Sequence, residues 1–376
     1  MDPDDHALLR LIACGGASAP RRRLLERHQR PSTALAAGPA AWREAGLDAA
    51  QARTLGADHA LPARQLEWLD RPDHRLLGWH DPDYPALLRR TANPPLALFV
   101  AGEPALLWHP GVAVVGTRAP TAAGRGHARD FAAAFVRAGL AVCSGLAAGV
   151  DTAAHQAALD AGGLTIAVLG SGIDVPYPAA NTGLYARIAG CGAVVSEHPP
   201  GTAPRREHFP ARNRIIVGLA LGTLVVEAAQ RSGALISARL AAEAGREVFA
   251  LPGSVRNPMA RGCHRLLREG ATLVEDPDEV AAALGPVAAA LADALRSRLS
   301  PPVQPDAGSG PDPAPAGRLV GADYQRLWSV LGHDPSPMDE LLERSGLTTA
   351  EASSMLLLME LDGLVVHEHG RYSRKS

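Results

Sequence analysis

The stretch Leu140-Ala141-Val142-Cys143-Ser144-Gly145-Leu146-Ala147-Ala148-Gly149-Val150-Asp151 decides the fold class. It passes from a short apolar run through a glycine loop into an alanine-rich helical pattern. Continuous apolar strands that alternate with helices are typical of a parallel sheet covered on both faces, so the sequence predicts an α/β fold. Six more apolar runs repeat the pattern, at Val112–Val115, Thr165–Leu169, Ala193–Val195, Thr223–Val226, Glu247–Leu251 and Thr272–Val274.

The first of these runs ends in Gly116-Thr117-Arg118, ahead of a helix expected to begin near Gly124. A parallel sheet of this kind binds its ligand at the carboxyl ends of its strands. Backbone N–H groups at a helix start, together with a guanidinium, form an anion site. The G-x-G-x-x-G pattern of a dinucleotide site is missing. An anion site and a plain turn glycine beside a surface arginine therefore both remain open.

The loop after the run Leu140–Cys143 contains the residue types of a hydrolytic triad, Ser144, Asp151 and His155. Asp151 is a natural N-cap for the following helix, and His155 lies four residues further along that same helix. The strained G-x-S-x-G turn of a nucleophile is absent. We therefore interpret Ser144, Gly145 and Gly149 as hydroxyl and backbone N–H groups for binding phosphate rather than as catalytic groups.

The loop after the run Ala193–Val195 is the richest in charge, with four arginines and one aromatic residue in the ten residues from Arg205 to Arg214. Arginines follow the phosphates of a nucleic acid and an aromatic ring stacks on a base, as single-strand binding requires. Arg205, Arg206, Phe209, Arg212 and Asn213 are the candidates. The alternative is that Phe209 anchors a solvated charged loop to the core.

Two other loops add weaker candidates. Ser232 and Gly233 begin a helix after the run Thr223–Val226, where a further phosphate would meet backbone N–H groups. Glu227 ends that run and is a candidate general base, although an isolated carboxylate is more often structural. Gly170-Ser171-Gly172 has glycines for close backbone approach but not the continuation of a dinucleotide site.

Composition limits the chemistry. The formal net charge is −2, so nucleic acid would have to meet a local cluster of positive charge. Of 37 Lys and Arg residues only Lys375 is a lysine, which excludes a lysine nucleophile or a Walker lysine in the core. The four cysteines lie far apart and predict neither zinc nor disulfides. We expect no metal and no cofactor. The acidic start and the lack of an apolar run of about 18 residues predict a cytoplasmic protein outside the membrane.

The chain is expected to divide into four parts. Residues 1–70 form short helices with glycine turns, similar to SAM or helix-hairpin-helix modules, in which Arg21-Arg22-Arg23 is more simply a solvated helix start than a DNA contact. Residues 71–298 hold the sheet, with a lead-in segment over 71–110. Residues 299–317 form a Pro/Gly-rich linker. Residues 318–376 outline a winged helix, which carries six Lys and Arg against nine Asp and Glu and so favours a protein partner over duplex DNA.

These loops together resemble the DprA (Smf) family of DNA-processing proteins. The resemblance covers nearly the whole chain and rests on several motifs in order. They are Asp83-Tyr84-Pro85, Pro94-Pro95-Leu96, Val115-Gly116-Thr117-Arg118, Ser144–Asp151 with His155, Phe209–Ile216, Val226-Glu227-Ala228-Ala229 with Ser232-Gly233-Ala234-Leu235, Leu251-Pro252-Gly253-Ser254, Asn257-Pro258 and Arg261–Leu266.

The resemblance implies an extended Rossmann fold that binds single-stranded DNA, forms a homodimer and loads the RecA recombinase during natural transformation. Arg118 and the loop of Arg206, Phe209 and Asn213 would form the DNA pocket, and Ser144 and Gly145 would add contacts. Whether Arg205 or Arg206 faces the DNA stays open. A single-strand-binding protein is a further expected partner.

Two other functions compete. Related Rossmann-like proteins cleave nucleotide N-glycosidic bonds with arginine and glutamate, for which Arg118, Arg212 and Glu227 would be the candidates here. Leu219-Ala220-Leu221 lacks the paired glycines that a phosphate loop of that kind would want. The winged helix could instead read duplex DNA as a transcription regulator, but its presumed recognition helix carries Glu351 and Glu360 and no Arg or Lys.

Overall fold

The computed structural model describes residues 2–57, 60–299, 322–332, 335–368 and 370–375. The chain divides into two compact units, residues 1–281 and 282–376. The predicted linker falls outside the described residues from residue 300 onward. Among the helices in the described part, none is long and apolar enough to cross a membrane.

Six helices open the first unit, and capping side chains and glycines set their ends. The Asp2 carboxylate accepts from the Asp4 N–H at 2.9 Å, and Asp48 forms a capping box with Gln51. Gly15 has a φ of +65°, a left-handed conformation that favours glycine after a helix. The helices are α1 (Pro3–Ala13), α2 (Ser18–His28), α3 (Pro31–Ala36), α4 (Gly38–Glu44), α5 (Ala49–Gly56) and α6 (Ala63–Leu69).

The rest of the first unit alternates strands with helices. Three short 3₁₀ helices lie at Pro104–Trp108, Ala179–Asn181 and Pro258–Ala260. The regular elements are β1 (His74–Gly78), α7 (Ala86–Arg89), β2 (Ala97–Gly102), β3 (Gly111–Val115), α8 (Ala122–Arg137), β4 (Ala141–Gly145), α9 (Val150–Asp160), β5 (Thr165–Leu169), α10 (Thr182–Cys191), β6 (Ala193–Ser196), α11 (His208–Gly218), β7 (Gly222–Val225), α12 (Gly233–Glu243), β8 (Glu247–Ala250), α13 (Arg261–Arg268), β9 (Thr272–Leu273) and α14 (Pro277–Leu299), which runs across the division between the units.

The nine strands form one sheet in the order β1-β2-β6-β5-β4-β3-β7-β8-β9. The seven strands from β6 to β9 are parallel, which confirms the predicted α/β core with a Rossmann-like sheet. Strands β1 and β2 add an antiparallel edge that the pattern of apolar runs did not predict. The carboxyl ends of all the parallel strands lie on the same side of the sheet. The loops that follow β3, β4, β5, β6 and β7 therefore lie side by side.

Two apolar clusters cover the two faces of this sheet. Phe99 of β2 belongs to a cluster that includes Leu8 and Trp42 of the N-terminal helices. Its neighbours Leu98 and Val100 point to the other cluster, which α11 and α12 cover. Each large apolar side chain buried in this way contributes about 1.5–3 kcal/mol. The N-terminal helices thus share a core with the sheet, and the expected boundary at residue 70 stays a prediction.

The second unit contains a winged helix with its own apolar cluster around Leu341, Leu356 and Tyr372. A capping box of Thr348 and Glu351 begins its second long helix. The predicted winged helix is confirmed. The elements are α15 (Ala322–Val330), β10 (Ser336–Pro337), α16 (Met338–Ser345), α17 (Thr349–Leu361), β11 (Val365–Glu368) and β12 (Arg371–Arg374), with a sheet order of β10-β12-β11.

Candidate nucleic-acid interface

A pocket of about 200 Å³ opens where the loops after β3, β4 and β5 meet the first turns of α11. These segments are distant in sequence and come together because the parallel strands before them end at one edge. The walls combine two guanidinium groups with two aromatic rings and apolar side chains. They are lined by Arg118, Leu146, Ala147, Ala148, Leu169, Gly170, Tyr177, Pro178, Phe209 and Arg212.

Arg118 and Phe209 bring a guanidinium group and an aromatic ring together in the pocket wall. The guanidinium carbon of Arg118 lies 5.6 Å from the centre of the Phe209 ring, within the range of a cation–π contact. Arg118 is exposed and Phe209 is half-buried. A side chain on Gly170 would place its Cβ 2.9 Å from Cδ1 of Phe209, so the glycine makes room for the ring. The ring therefore lies in the pocket wall and not beneath the loop.

Arg212 lines the base of the pocket and is buried. Its guanidinium donates to the Val168 carbonyl, and its Nε donates to the Asn213 side-chain oxygen at 3.3 Å. Burial lowers the pKa of Arg212, although the nearby Asp151 carboxylate favours its charged form. Burial also raises the pKa of Asp151. Arg212 thus supplies fixed positive charge behind the pocket.

Gly149 allows the loops after β3 and β4 to touch. It has a φ of +88°, and a Cβ there would lie 2.5 Å from the Thr117 carbonyl oxygen. The Val150 N–H donates to the same oxygen at 3.2 Å, and the Thr117 N–H donates to the Glu227 carbonyl at 2.7 Å. Gly116 packs against Val150 in the same way. These contacts hold Arg118 on a fixed backbone. Gly149, and not Asp151, is the N-cap of α9.

Ser144 and His155 do not form a catalytic pair. Ser144 is fully buried and its hydroxyl donates to the Val114 carbonyl at 2.6 Å. The His155 ring is also buried between the Thr165 hydroxyl and the Gly145 carbonyl. The expected contact between the Ser144 hydroxyl and DNA is therefore corrected: this hydroxyl links β4 to β3. Gly145 is buried beside it.

The remaining candidates lie outside the pocket wall. Arg205 and Arg206 are both exposed on the loop that leads into α11. The amide of Asn213 is buried and donates to the Gly233 carbonyl at 3.3 Å, so Asn213 connects α11 to α12 instead of facing the pocket. The Ser232 hydroxyl caps α12 by accepting from the Ala234 N–H at 3.2 Å. Gly233 is exposed at this helix start.

Glu227 clamps the loop after β3. Its carboxylate accepts from the Thr121 N–H at 2.9 Å and from the Thr121 hydroxyl at 2.7 Å. The Asn257 amide donates to it at 3.2 Å. The carboxylate is buried and does not line the pocket. Its contacts are those of a structural acceptor, and the general base of the competing hydrolase is therefore not part of the pocket wall that contains Arg118 and Arg212.

Tyr177 is an aromatic pocket residue that no sequence motif indicated. Its side chain is 47% exposed, and the centre of its ring lies 5.4 Å from that of Phe209. The sequence offered one clue, an aromatic residue before a proline in a loop after a predicted strand, in a chain with only 4% aromatic residues.

Within the described residues, no group of three or more His, Cys, Asp or Glu side chains is arranged to hold a metal ion.

Comparison with known proteins assigns both units to one family. Residues 75–285 match the family model of DNA recombination-mediator protein A, and residues 311–371 match that of the DprA winged helix domain. Protein Smf of Escherichia coli K12 is 39% identical over 320 residues, which cover 84% of this chain and 82% of that protein.

Two solved structures are similar in fold and sequence. DNA processing protein A from Streptococcus pneumoniae superposes with a TM-score of 0.61 at 36% identity, covering 75% of this chain and 98% of that one. The protein from Helicobacter pylori, whose structure describes a single-stranded DNA binding mode, has a TM-score of 0.51 at 30% identity and covers 56% of this chain and 95% of its own. The chain therefore belongs to the DprA (Smf) family of DNA-processing proteins.

Proposed function

We propose that this protein binds single-stranded DNA in the pocket of Arg118, Phe209 and Arg212 and acts in DNA uptake during natural transformation. It protects the incoming strand and loads RecA onto it. The observation that carries the proposal is the placement of the Arg118 guanidinium over the Phe209 ring at the mouth of a pocket on the sheet edge. An arginine for phosphate beside a ring for a base is the combination that single-strand binding uses.

The charges around the pocket support this function. Arg205 and Arg206 are exposed on the adjoining loop, and Arg212 lies behind the pocket. The Glu227 carboxylate, which would repel phosphate, is buried and engaged by Thr121. Positive charge therefore dominates locally although the whole chain has a net charge of −2. The Helicobacter pylori relative was described for its binding of single-stranded DNA.

The proposal includes partners and a location. We infer a homodimer in the cytoplasm, with RecA and a single-strand-binding protein as partners, and no catalytic step. Gly116, Thr117, Gly145 and Gly149 then shape the loops, and Ser232 and Gly233 offer a second helix start to a neighbouring phosphate.

The test is binding of fluorescent oligo-dT across a salt series, with duplex DNA of the same length as the competitor. We expect a preference for the single strand and a negative log–log dependence on salt. Arg118→Ala should weaken binding and reduce the salt slope by about 1. Phe209→Ala should cost about 1–3 kcal/mol, the stacking of one base. Arg129→Ala, which removes an exposed arginine of α8 outside the pocket, is the matched control.

Equal binding by folded Arg118→Ala/Phe209→Ala protein would place the DNA site elsewhere. No binding by the wild type would reject the proposal. RecA loading is measured separately, as faster assembly of RecA on DNA coated with single-strand-binding protein.

A further inference from the structure

Tyr177 lies in the pocket wall with nearly half of its side chain exposed. Single exposed apolar side chains are common on protein surfaces, so the exposure decides nothing by itself. The position of Tyr177 is more informative, because the ring borders the same pocket as Arg118 and contacts the Phe209 ring.

The backbone before Tyr177 is fixed from several sides. The Ser171 hydroxyl donates to the Val175 carbonyl at 2.6 Å. The Asp174 carboxylate accepts from the Gly201 N–H at 2.7 Å and from Nε of Arg64 at 2.6 Å. These bonds attach the loop after β5 to the loop after β6 and to helix α6.

The backbone after Tyr177 is fixed as well. The Asn181 N–H donates to the Pro178 carbonyl at 2.9 Å. The buried Asn181 amide donates to the Leu146 carbonyl and to the Thr152 hydroxyl, both at 2.9 Å. Tyr177 is thus presented from a short segment held at both ends, and a ligand that uses its ring does not have to order a loop first.

The two rings are too close to hold one base between them. Their centres are 5.4 Å apart and their planes are tilted by 44°. A base between two parallel rings would need about 7 Å, twice the roughly 3.4 Å that separates stacked bases along a strand. Tyr177 and Phe209 therefore offer separate faces, and each face suits a different base.

We propose that Tyr177 is a second base-stacking face, so that the pocket takes two successive nucleotides of a single strand, one base on Phe209 and one on Tyr177. This inference rests on the proposed binding of single-stranded DNA. Because stacking uses the ring, Tyr177→Phe keeps the site, whereas Tyr177→Leu keeps apolar bulk and removes the π face.

The experiment separates base contacts from phosphate contacts. Each variant of the full-length protein is titrated with a dT hexamer and with a hexamer of abasic sugars, which has the same length and charge. The Kd for the abasic hexamer divided by the Kd for the dT hexamer measures what the bases add to the affinity. Tyr177→Ala and Tyr177→Leu should reduce this ratio about 5- to 140-fold, which is the stacking of one base converted at tenfold per 1.4 kcal/mol. Their Kd for the abasic hexamer should stay within about twofold of wild type, as should both values for Tyr177→Phe.

Each alternative result is distinct. An unchanged ratio in Tyr177→Ala, together with a reduced ratio in Phe209→Ala, would overturn the second face and leave the proposed function intact. Equal weakening for both hexamers would make Tyr177 a structural residue of the loop and would also overturn the proposal. If wild type bound neither hexamer, the proposed function itself would fail. Thermal unfolding of every variant shows that the protein is folded.

Discussion

The Arg212 guanidinium and the Asp151 carboxylate both border the space that a side chain on Gly145 would fill. A Cβ built there would lie 2.5 Å from Oδ2 of Asp151 and closer still to the Arg212 guanidinium. Both groups are buried and hydrogen-bonded to backbone, Arg212 to the Val168 carbonyl and Asp151 to the Ala147 N–H at 3.4 Å. Neither can move away without losing these bonds, so glycine at position 145 keeps the base of the pocket in place.

We expect Gly145→Ala to lower the free energy of unfolding by about 1–3 kcal/mol, the usual cost of overpacking. It should also weaken oligo-dT binding, because Arg212 is displaced. Gly126→Ala is the control: this helical glycine has no atom within 4 Å of a built Cβ, and the change should stabilise α8 by about 0.5–1 kcal/mol. Urea unfolding and oligo-dT titration measure both effects. Wild-type stability in Gly145→Ala would show that Arg212 and Asp151 are not fixed.

The parallel core was predictable because each of its strands is a separate apolar run. The edge strands were not. β1 begins with the polar pair His74 and Arg75, and β2 follows Pro94-Pro95 without a long helix between the two strands. β1 pairs with β2, and β2 joins the core by pairing with β6, a tertiary contact that local sequence does not encode.

The site was predictable where a residue type has one chemical use, and less so where it has several. The loop of Arg118 and the Phe209 helix do meet in a pocket. By contrast, Arg21 was expected at a solvated helix start, yet it is buried and donates to the carbonyls of Leu11 at 2.9 Å and Gly16 at 2.8 Å. Some arginines donate to backbone carbonyls at the end of a neighbouring helix and others face water. The local sequence around the arginine does not distinguish the two cases.

His155 should make stability depend on pH. Burial lowers its pKa to about 4, compared with an ordinary value of about 6.5. The unfolded chain therefore binds a proton at higher pH than the folded protein does. The free energy of unfolding should fall by about 3 kcal/mol as the pH is lowered from about 6.5 to about 4, with no further loss from this group below that range.

The measurement compares wild type with His155→Gln, which retains an N–H for the Gly145 carbonyl. His198, whose pKa burial also lowers to about 4, titrates alike in both proteins. The difference between their unfolding free energies should change across this window and be flat above pH 7. Parallel curves would mean that His155 has the same pKa in the folded and the unfolded protein, so that burial does not lower it.

Glu227 should matter for stability and not for chemistry. In Glu227→Gln one carboxylate oxygen becomes an N–H₂ group, which leaves a donor of Thr121 without its acceptor. We expect a loss of about 1–3 kcal/mol in the free energy of unfolding. The control is Glu207→Gln, an exposed change that should have an effect within about 0.5 kcal/mol.

The competing hydrolase makes a different prediction. Chromatography of nucleoside monophosphates incubated with wild-type protein should show no release of free base. Release that Glu227→Gln abolishes while the protein remains folded would assign Glu227 a catalytic role.

The winged helix should not add duplex binding. Helix α17 carries Glu351 and Glu360 and no Arg or Lys, and residues 318–376 hold six Lys and Arg against nine Asp and Glu. An acidic recognition helix repels the phosphates that flank the major groove, where readers present arginine or lysine. We therefore expect a chain truncated after Leu299 to bind oligo-dT within about twofold of the full chain, and both to bind duplex DNA weakly and equally. Tight duplex binding that is lost on truncation would make this unit a DNA reader, whereas unchanged binding directs the search for its partner to proteins with a basic surface, which the acidic α17 would attract.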